Sequence, residues 1–516
     1  MNLPAKQLFL TGNTLTIKDL FQAASDPTYV ITPTTHAYQR MAVNREFAER
    51  IIKRGDKVYG LSTGVGVRKR YQVSSNLMIQ FQSRLVNETA TGIGSPMDPM
   101  VTRGAAIILL NSLCLGRSNV RPTIAQRIAN RLSNGIERPL RSIPRHGGMG
   151  TGDVTPLAHL IQDLIYLVNG NDITDPNQQP TLLQAGEALP LIAQSSIVTA
   201  HAAIAIYEAR SLLKQMNVLA ALDIEAYAAN PSPYDEMVSQ VRPYKGYQEA
   251  SFIIRKHLKG GQLATTPNNK QRHLQSPLTF RSATSMLGAA YDCLHYCESQ
   301  INIELNAHQQ NPLSLMEKDC MVSNGNFDMQ PIAQAMDFCK LALAPCLTAQ
   351  NERSIKLLQK RDNGLTDGLM YRGEDGATGH GMSGLAWTLQ NIATEARLVA
   401  VQAISAEIGS SNQAESVEDR CTMAGLGARK VRLFVQLALK VVALSTVIAC
   451  QAIDVRDTKL NEALTDVYGR VRKIVPVMKV GDPPPIKYVN ELIDLLQVQS
   501  EILCNTEHLD AGVSKL

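Results

Sequence analysis

Phe434 to Ile453 reads F-V-Q-L-A-L-K-V-V-A-L-S-T-V-I-A-C-Q-A-I, the most lipid-like run of the chain. Gln436, Lys440 and Gln451 interrupt it, and a charge at mid-span is costly in a bilayer. The run therefore reads as a buried helix of a large bundle rather than as a membrane span. Widened to Glu418–Asp454, the stretch is long enough for one helix to span the whole molecule.

Two more windows carry the same helical period. Leu191 to Leu222 is rich in Ala, Ile and Leu, with Glu208, Arg210 and Lys214 spaced for a wet face. Pro331 to Leu358 behaves similarly, with Pro345 expected to kink it. Alternating, strand-like runs are few. The expected fold is all-α, a bundle of long helices. No sharp linker stands out, and Asp175–Pro180 and Gly481–Pro485 are soft boundaries. They suggest an N-terminal part over 1–190, carrying the glycine loops, and a helical part over 191–516; one continuous bundle fits as well.

Composition narrows the function classes. The 516 residues are 44% hydrophobic and 19% charged, enough to bury a large core and unlike a disordered chain. Lys plus Arg number 51 and Asp plus Glu 46, a net charge of +5. That small excess is spread along the chain, which argues against nucleic acid as a partner. Aromatic residues make up 5%, with Trp387 the sole tryptophan, so base- or sugar-stacking surfaces are not expected. Nine scattered cysteines form no disulfide framework and read as reduced cytosolic thiols. Cys293 and Cys297 flank His295 on one helical face, but no second Cys/His pair at zinc spacing follows, so no metal is expected. The N-terminal residues lack the apolar core of a signal peptide. A soluble cytoplasmic protein with no membrane contact is the resulting expectation.

Glycine-rich loops interrupt the helices. The first is V-Y-G-L-S-T-G-V-G-V, Val58 to Val67; no Gly-Lys-Ser/Thr follows, so it is no phosphate cradle. The second, R-H-G-G-M-G-T-G-D-V-T-P-L-A-H, runs from Arg145 to His159. Thr155 reads there as a helix N-cap and Pro156 as the first helical residue. Alone, the second loop reads as an anion-binding helix N-terminus or as a tight turn, and the first as a structural turn.

Together they are specific. Y-G-L-S-T-G-V-G and G-M-G-T-G-D-V-T-P-L-A-H resemble two signature blocks of the histidine/phenylalanine/tyrosine ammonia-lyase family. Phe81–Gly94 resembles that family's selectivity helix, and L-Q-S-P-L-T-F-R-S (Leu274–Ser282) its Gln-Asp-x-Tyr-Ser-x-Arg segment. E-L-N-A-H-Q-Q-N-P (Glu304–Pro312), S-N-G-N-F (Ser323–Phe327), N-E-R-S-I (Asn351–Ile355) and V-E-D-R-C-T-M (Val417–Met423) follow in family order. The resemblance spans nearly the whole chain. It implies the long-helix bundle of the histidine ammonia-lyase/fumarase-aspartase type and a homotetramer whose active sites are shared between subunits.

It also implies an electrophile built from the backbone, 4-methylidene-imidazol-5-one, with no diffusible cofactor. In the family an Ala-Ser-Gly tripeptide cyclises when the glycine nitrogen attacks the preceding carbonyl, and the serine loses its hydroxyl as water. Glycine leaves room for ring closure. Gly150-Thr151-Gly152 stands at that site here. The threonine would leave an ethylidene group, a hindered electrophile, or no ring would form.

Other roles follow from matched positions. Tyr59 corresponds to the base that takes the β-proton, a role requiring a lowered phenol pKa. Arg281 corresponds to the arginine that grips the substrate carboxylate. Gln275, Phe327 and Glu395 fall on active-site positions, Glu395 near the leaving amine. Glu88 and Thr89 occupy the selectivity pair; Glu88 either meets a hydrogen-bond-donating substrate group or pairs with Arg84, one turn back.

Three departures bear on activity. Leu278 replaces a second tyrosine, Ala193 an asparagine, and Val65 the phenylalanine of the first loop. Apolar groups thus stand in a site that works by preorganised polar contacts. The expected function is an ammonia lyase or aminomutase-like lyase acting on an aromatic or polar-side-chain α-amino acid. The alternative is a relative without the electrophile, serving as a binding or regulatory subunit or expelling another leaving group.

Overall fold

The long helices form where apolar residues recur on more than one face, and the chain surrounds them with protein. In the computed structural model the run at Phe434–Ile453 lies inside one 33-residue helix, Ala424–Arg456. Leu433, Gln436 and Lys440 form its exposed stripe, and Val441–Ile453 are buried on all sides. Gln451 is buried too, and fully partnered. Its amide nitrogen donates to the carbonyls of Leu369 (3.2 Å) and Met478 (2.8 Å), and its oxygen accepts from the Met478 N–H (3.1 Å). The residue that broke the lipid-like run thus satisfies its polar atoms within protein. The structure describes residues 6–168, 171–172, 183–267, 270–371, 379–406, 415, 417–483, 485–498 and 503; the soft boundary at Asp175–Pro180 lies outside them.

The other long helices are Ser196–Tyr227, Ala283–Glu304 and Gln330–Leu357, the last running through Pro345. Ser196–Ile206 is buried all round, whereas Glu208, Arg210 and Lys214 are half-buried, as their spacing predicts. Arg432 donates to both carboxylate oxygens of Glu208 at 2.9 and 2.8 Å, a planar fork on a carboxylate.

The chain divides into two compact units. The first comprises Met1–Tyr207, Cys297–Met336 and Ala403–Arg429; the second comprises Glu208–Tyr296, Asp337–Gln402 and Lys430–Leu516. Short two-stranded ladders punctuate the first unit. Gln7–Leu10 pairs in parallel with Val30–Pro33, and Leu313–Leu315 pairs antiparallel with Cys320–Val322. A third ladder, Ile93–Pro96 against Pro144–His146, tethers the start of the second glycine loop to the end of the Met78–Thr89 helix.

The helix after that loop starts earlier than its sequence suggests. It spans Val154–Ile161, so Asp153 occupies the N-cap position and Thr155 and Pro156 lie inside. Asp153 does not cap its own helix. Its carboxylate accepts from the Val198 N–H at 3.1 Å, in the first turn of the Ser196–Tyr227 helix. One otherwise unpaired N–H of a neighbouring helix is satisfied from outside.

Candidate active site

Tyr59 is held by a loop that folds back on itself. The N–H groups of Leu61, Ser62 and Thr63 all point at the Val58 carbonyl, at 3.2, 3.0 and 3.3 Å. The Ser62 hydroxyl accepts from the Val58 N–H at 2.8 Å and donates to the Asp56 carbonyl at 2.6 Å. Gly60 turns at φ +70° with the Leu189 side chain packed where a Cβ would stand. Across the loop, the Gly66 N–H donates to the Tyr59 phenol oxygen at 2.9 Å.

The second loop is pinned residue by residue. The Met149 carbonyl accepts from the Met423 N–H at 2.9 Å. The Gly150 carbonyl accepts from the Met329 N–H at 3.1 Å and from the Thr422 hydroxyl at 2.8 Å. Thr151 forms an isolated antiparallel bridge with Asp328, and its hydroxyl donates to the Arg420 carbonyl at 3.2 Å. The Gly152 N–H donates to Ser195 Oγ at 3.3 Å, and that hydroxyl donates onward to the Phe327 carbonyl at 2.7 Å. The Asp153 N–H closes the series on the Gln194 carbonyl at 2.8 Å. Burial pushes the Asp153 carboxyl up to about 6, against the pull of the Val198 and Gly150 N–H groups and of Arg429.

These loops face a cavity of about 430 Å³, whose lining includes Tyr59, Thr89, Thr151, Gly152, Phe327 and Glu418. An adjoining cavity of about 390 Å³ shares Tyr59, Thr151, Phe327 and Glu418 and adds Lys69, Asp328 and Arg420. Arg420 donates to Asp328 at 2.7 Å and to Gln330 at 3.0 Å, so its charge is already engaged. Val65, Leu85, Leu189 and Ile192 give the larger cavity an apolar wall, and Ala193 lines it as well.

Of the residues expected from sequence, Tyr59, Thr89, Thr151, Gly152 and Phe327 meet at this cavity, and Gly150 does not line it. Glu88 does not line it. That side chain is exposed, and among the described residues no ion pair joins it to Arg84. Thr89 commits its hydroxyl hydrogen to the Leu85 carbonyl at 2.6 Å, leaving only lone pairs for another group. Gln275, Arg281 and Glu395 belong to the second unit. There both terminal nitrogens of the Arg281 guanidinium donate to the Gln275 amide oxygen at 2.7 Å. Leu278 is 62% exposed beside them in chain order, and Glu395 lies on the exposed side of the Leu385–Ala400 helix.

The electrostatics correct one expectation. The Tyr59 phenol is raised, not lowered; burial does most of it and the Glu418 charge adds to it, against the Gly66 N–H. Glu418 is itself raised by burial and by neighbouring Asp419. Glu418 lines both cavities and Thr422 donates to the Gly150 carbonyl; both lie in the V-E-D-R-C-T-M segment, whose motif marks the segment and not which side chains turn inward.

The family model for aromatic amino acid lyases matches residues 15–473. The histidine ammonia-lyase of Alkaliphilus metalliredigens (strain QYMF) is 29% identical over 485 residues, covering 91% of this chain and 93% of its own length. Among solved structures, the tyrosine aminomutase of Streptomyces globisporus matches with a TM-score of 0.86 at 25% identity over 99% of both chains. Ergothionase from Treponema denticola, an ergothioneine-degrading enzyme, shares the fold with a TM-score of 0.85 at 23% identity, covering 96% of this chain and 100% of its own.

Proposed function

The chain belongs to the aromatic amino acid lyase family and is a carbon–nitrogen lyase, and from that premise we propose that it eliminates ammonia from, or shifts it within, an aromatic or polar-side-chain α-amino acid. The observation that carries this reading is the convergence of Tyr59 and Thr151 on one cavity of about 430 Å³. That volume suits a ring-bearing amino acid, and the apolar wall of Val65, Leu85, Leu189 and Ile192 suits the ring. The relatives named for histidine and tyrosine point to the same substrate class.

The electrophile is proposed to form at Gly150-Thr151-Gly152. The residues fit such a group. The attacked carbonyl, that of Gly150, already holds two donors, and the attacking Gly152 nitrogen has a hydroxyl acceptor in Ser195. Thr151, with its removable hydroxyl, borders both cavities. Once formed, the group supplies an electron-poor alkene that turns the substrate amine into a better leaving group.

The chain's own side chains do the rest in this reading. Tyr59 takes the β-proton; because burial raises its phenol, it needs a cation nearby, and a neighbouring subunit's Arg281 supplies one while gripping the substrate carboxylate. Gln275 fixes that guanidinium. Glu418, which lines the cavity beside Tyr59, meets the departing amine. The chain assembles in this reading into a homotetramer with shared active sites, and the exposed Trp387, Leu398 and Val401 supply apolar surface for assembly.

Purified protein incubated with histidine, tyrosine and phenylalanine should release ammonia and an α,β-unsaturated acid, or yield a β-amino acid. No product from any of these would oppose the reading. Ala193 in the cavity wall favours a second reading in which no ring forms and another group leaves; it requires an unmodified chain mass.

A further inference from the structure

The residue before Thr151 is glycine, where the family pattern has alanine, and the structure gives a reason for the exchange. Gly150 sits at φ +76°, and a Cβ there would overlap the Thr422 hydroxyl oxygen. Thr422 is fully buried and its hydroxyl is aimed. It accepts from the Ala424 N–H at 3.3 Å and donates to the Gly150 carbonyl at 2.8 Å. Met423, next in the chain, is held in the left-handed region at φ +50° and donates its N–H to the Met149 carbonyl at 2.9 Å. Strain of this kind persists only where the surroundings enforce it. The Met329 N–H, from a different segment of the chain, reaches the same Gly150 oxygen at 3.1 Å.

Two preorganised donors on one carbonyl oxygen form an oxyanion hole. We propose that Thr422 is a catalytic residue of the chain's own maturation, stabilising with the Met329 N–H the oxyanion formed when the Gly152 nitrogen attacks the Gly150 carbonyl carbon. This rests on the backbone-electrophile reading above. The nitrogen–carbon bond forms as the carbonyl π pair moves onto the oxygen. The Gly152 amide proton passes to Ser195 Oγ, its hydrogen-bond acceptor, as that hydroxyl releases its own proton to solvent, and the oxyanion takes one proton back from solvent. The protonated oxygen then departs as water with the Thr151 amide hydrogen, closing a carbon–nitrogen double bond. The Thr151 hydroxyl departs as a second water with the Cα hydrogen, leaving the ethylidene. Atoms balance with two waters lost, and no oxidant is required. A glycine at 150 keeps the position of the Thr422 hydroxyl free, so Gly150 and Thr422 form one device.

The test follows mass against time in freshly synthesised full chain for the parent, Thr422→Val and Thr422→Ser. The parent and Thr422→Ser should lose two waters, and Thr422→Val should do so about 100-fold more slowly, the usual effect of removing one oxyanion donor. Circular dichroism verifies that each variant is folded. Thr422→Cys, a weaker donor of similar size, should fall between, and it decides the matter should Thr422→Val not fold. Equal rates in parent, Val and Cys variants would overturn the role of Thr422 alone. An unmodified parent would overturn the electrophile itself, and the proposal with it.

Discussion

The Gly66 N–H donates to the Tyr59 phenol oxygen at 2.9 Å, so a residue seven positions along the same loop fixes the phenol at the cavity. This bond favours the phenolate, while burial and Glu418 oppose it. Tyr59→Phe removes the acceptor and leaves ring packing in place. The expected result is a fall in kcat of about 100-fold or more, within the span of general-base contributions, with the same loss of two waters from the chain as in the parent. Parental turnover by the variant would exclude Tyr59 as the base.

Gly150→Ala places a methyl group against the Thr422 hydroxyl in a left-handed backbone conformation. That conformation costs an ordinary residue about 1–2 kcal/mol, with the overlap added to it. The variant should therefore melt lower than the parent, and Gly150→Ala combined with Thr422→Gly should recover part of the loss. Unchanged thermal midpoints in the single variant would show that the two side chains do not compete for one space.

His308 gives the fold a pH dependence of definite sign. Burial holds its imidazole well below the usual 6.5, at about 4. The unfolded chain binds a proton below 6.5 that the folded chain does not take up until about 4. Its contribution is complete above 6.5 and falls as the pH drops toward 4, at about 1.4 kcal/mol per pH unit for one proton. Urea unfolding of His308→Gln between pH 7 and 4.5 should show a shallower decline than the parent. Parallel declines would assign the acid sensitivity to other groups.

The helices were legible because their signal is local. Apolar spacing around Val441–Ile453 and the polar breaks at Gln436 and Lys440 specify a buried helix with one exposed stripe, and that is its burial. The candidate site was legible in part, through the glycine loops and Tyr59, which line one cavity. What escaped was set by tertiary partners. Thr155 has the residue type and spacing of a cap, yet the helix start is fixed by the Asp153 N–H on Gln194 and its carboxylate on Val198. Thr422 acts on a carbonyl 272 residues away, a pairing with no local pattern. The Tyr59 phenol shifts upward because of burial and of Glu418, and neither can be read from the loop that carries it.

The intact mass of the purified full-length chain tests the backbone electrophile most directly. Cyclisation and dehydration at Gly150-Thr151-Gly152 predict a mass two waters below that of the sequence, with both losses confined to the peptide that contains Thr151. A mass equal to that of the unmodified sequence would contradict it.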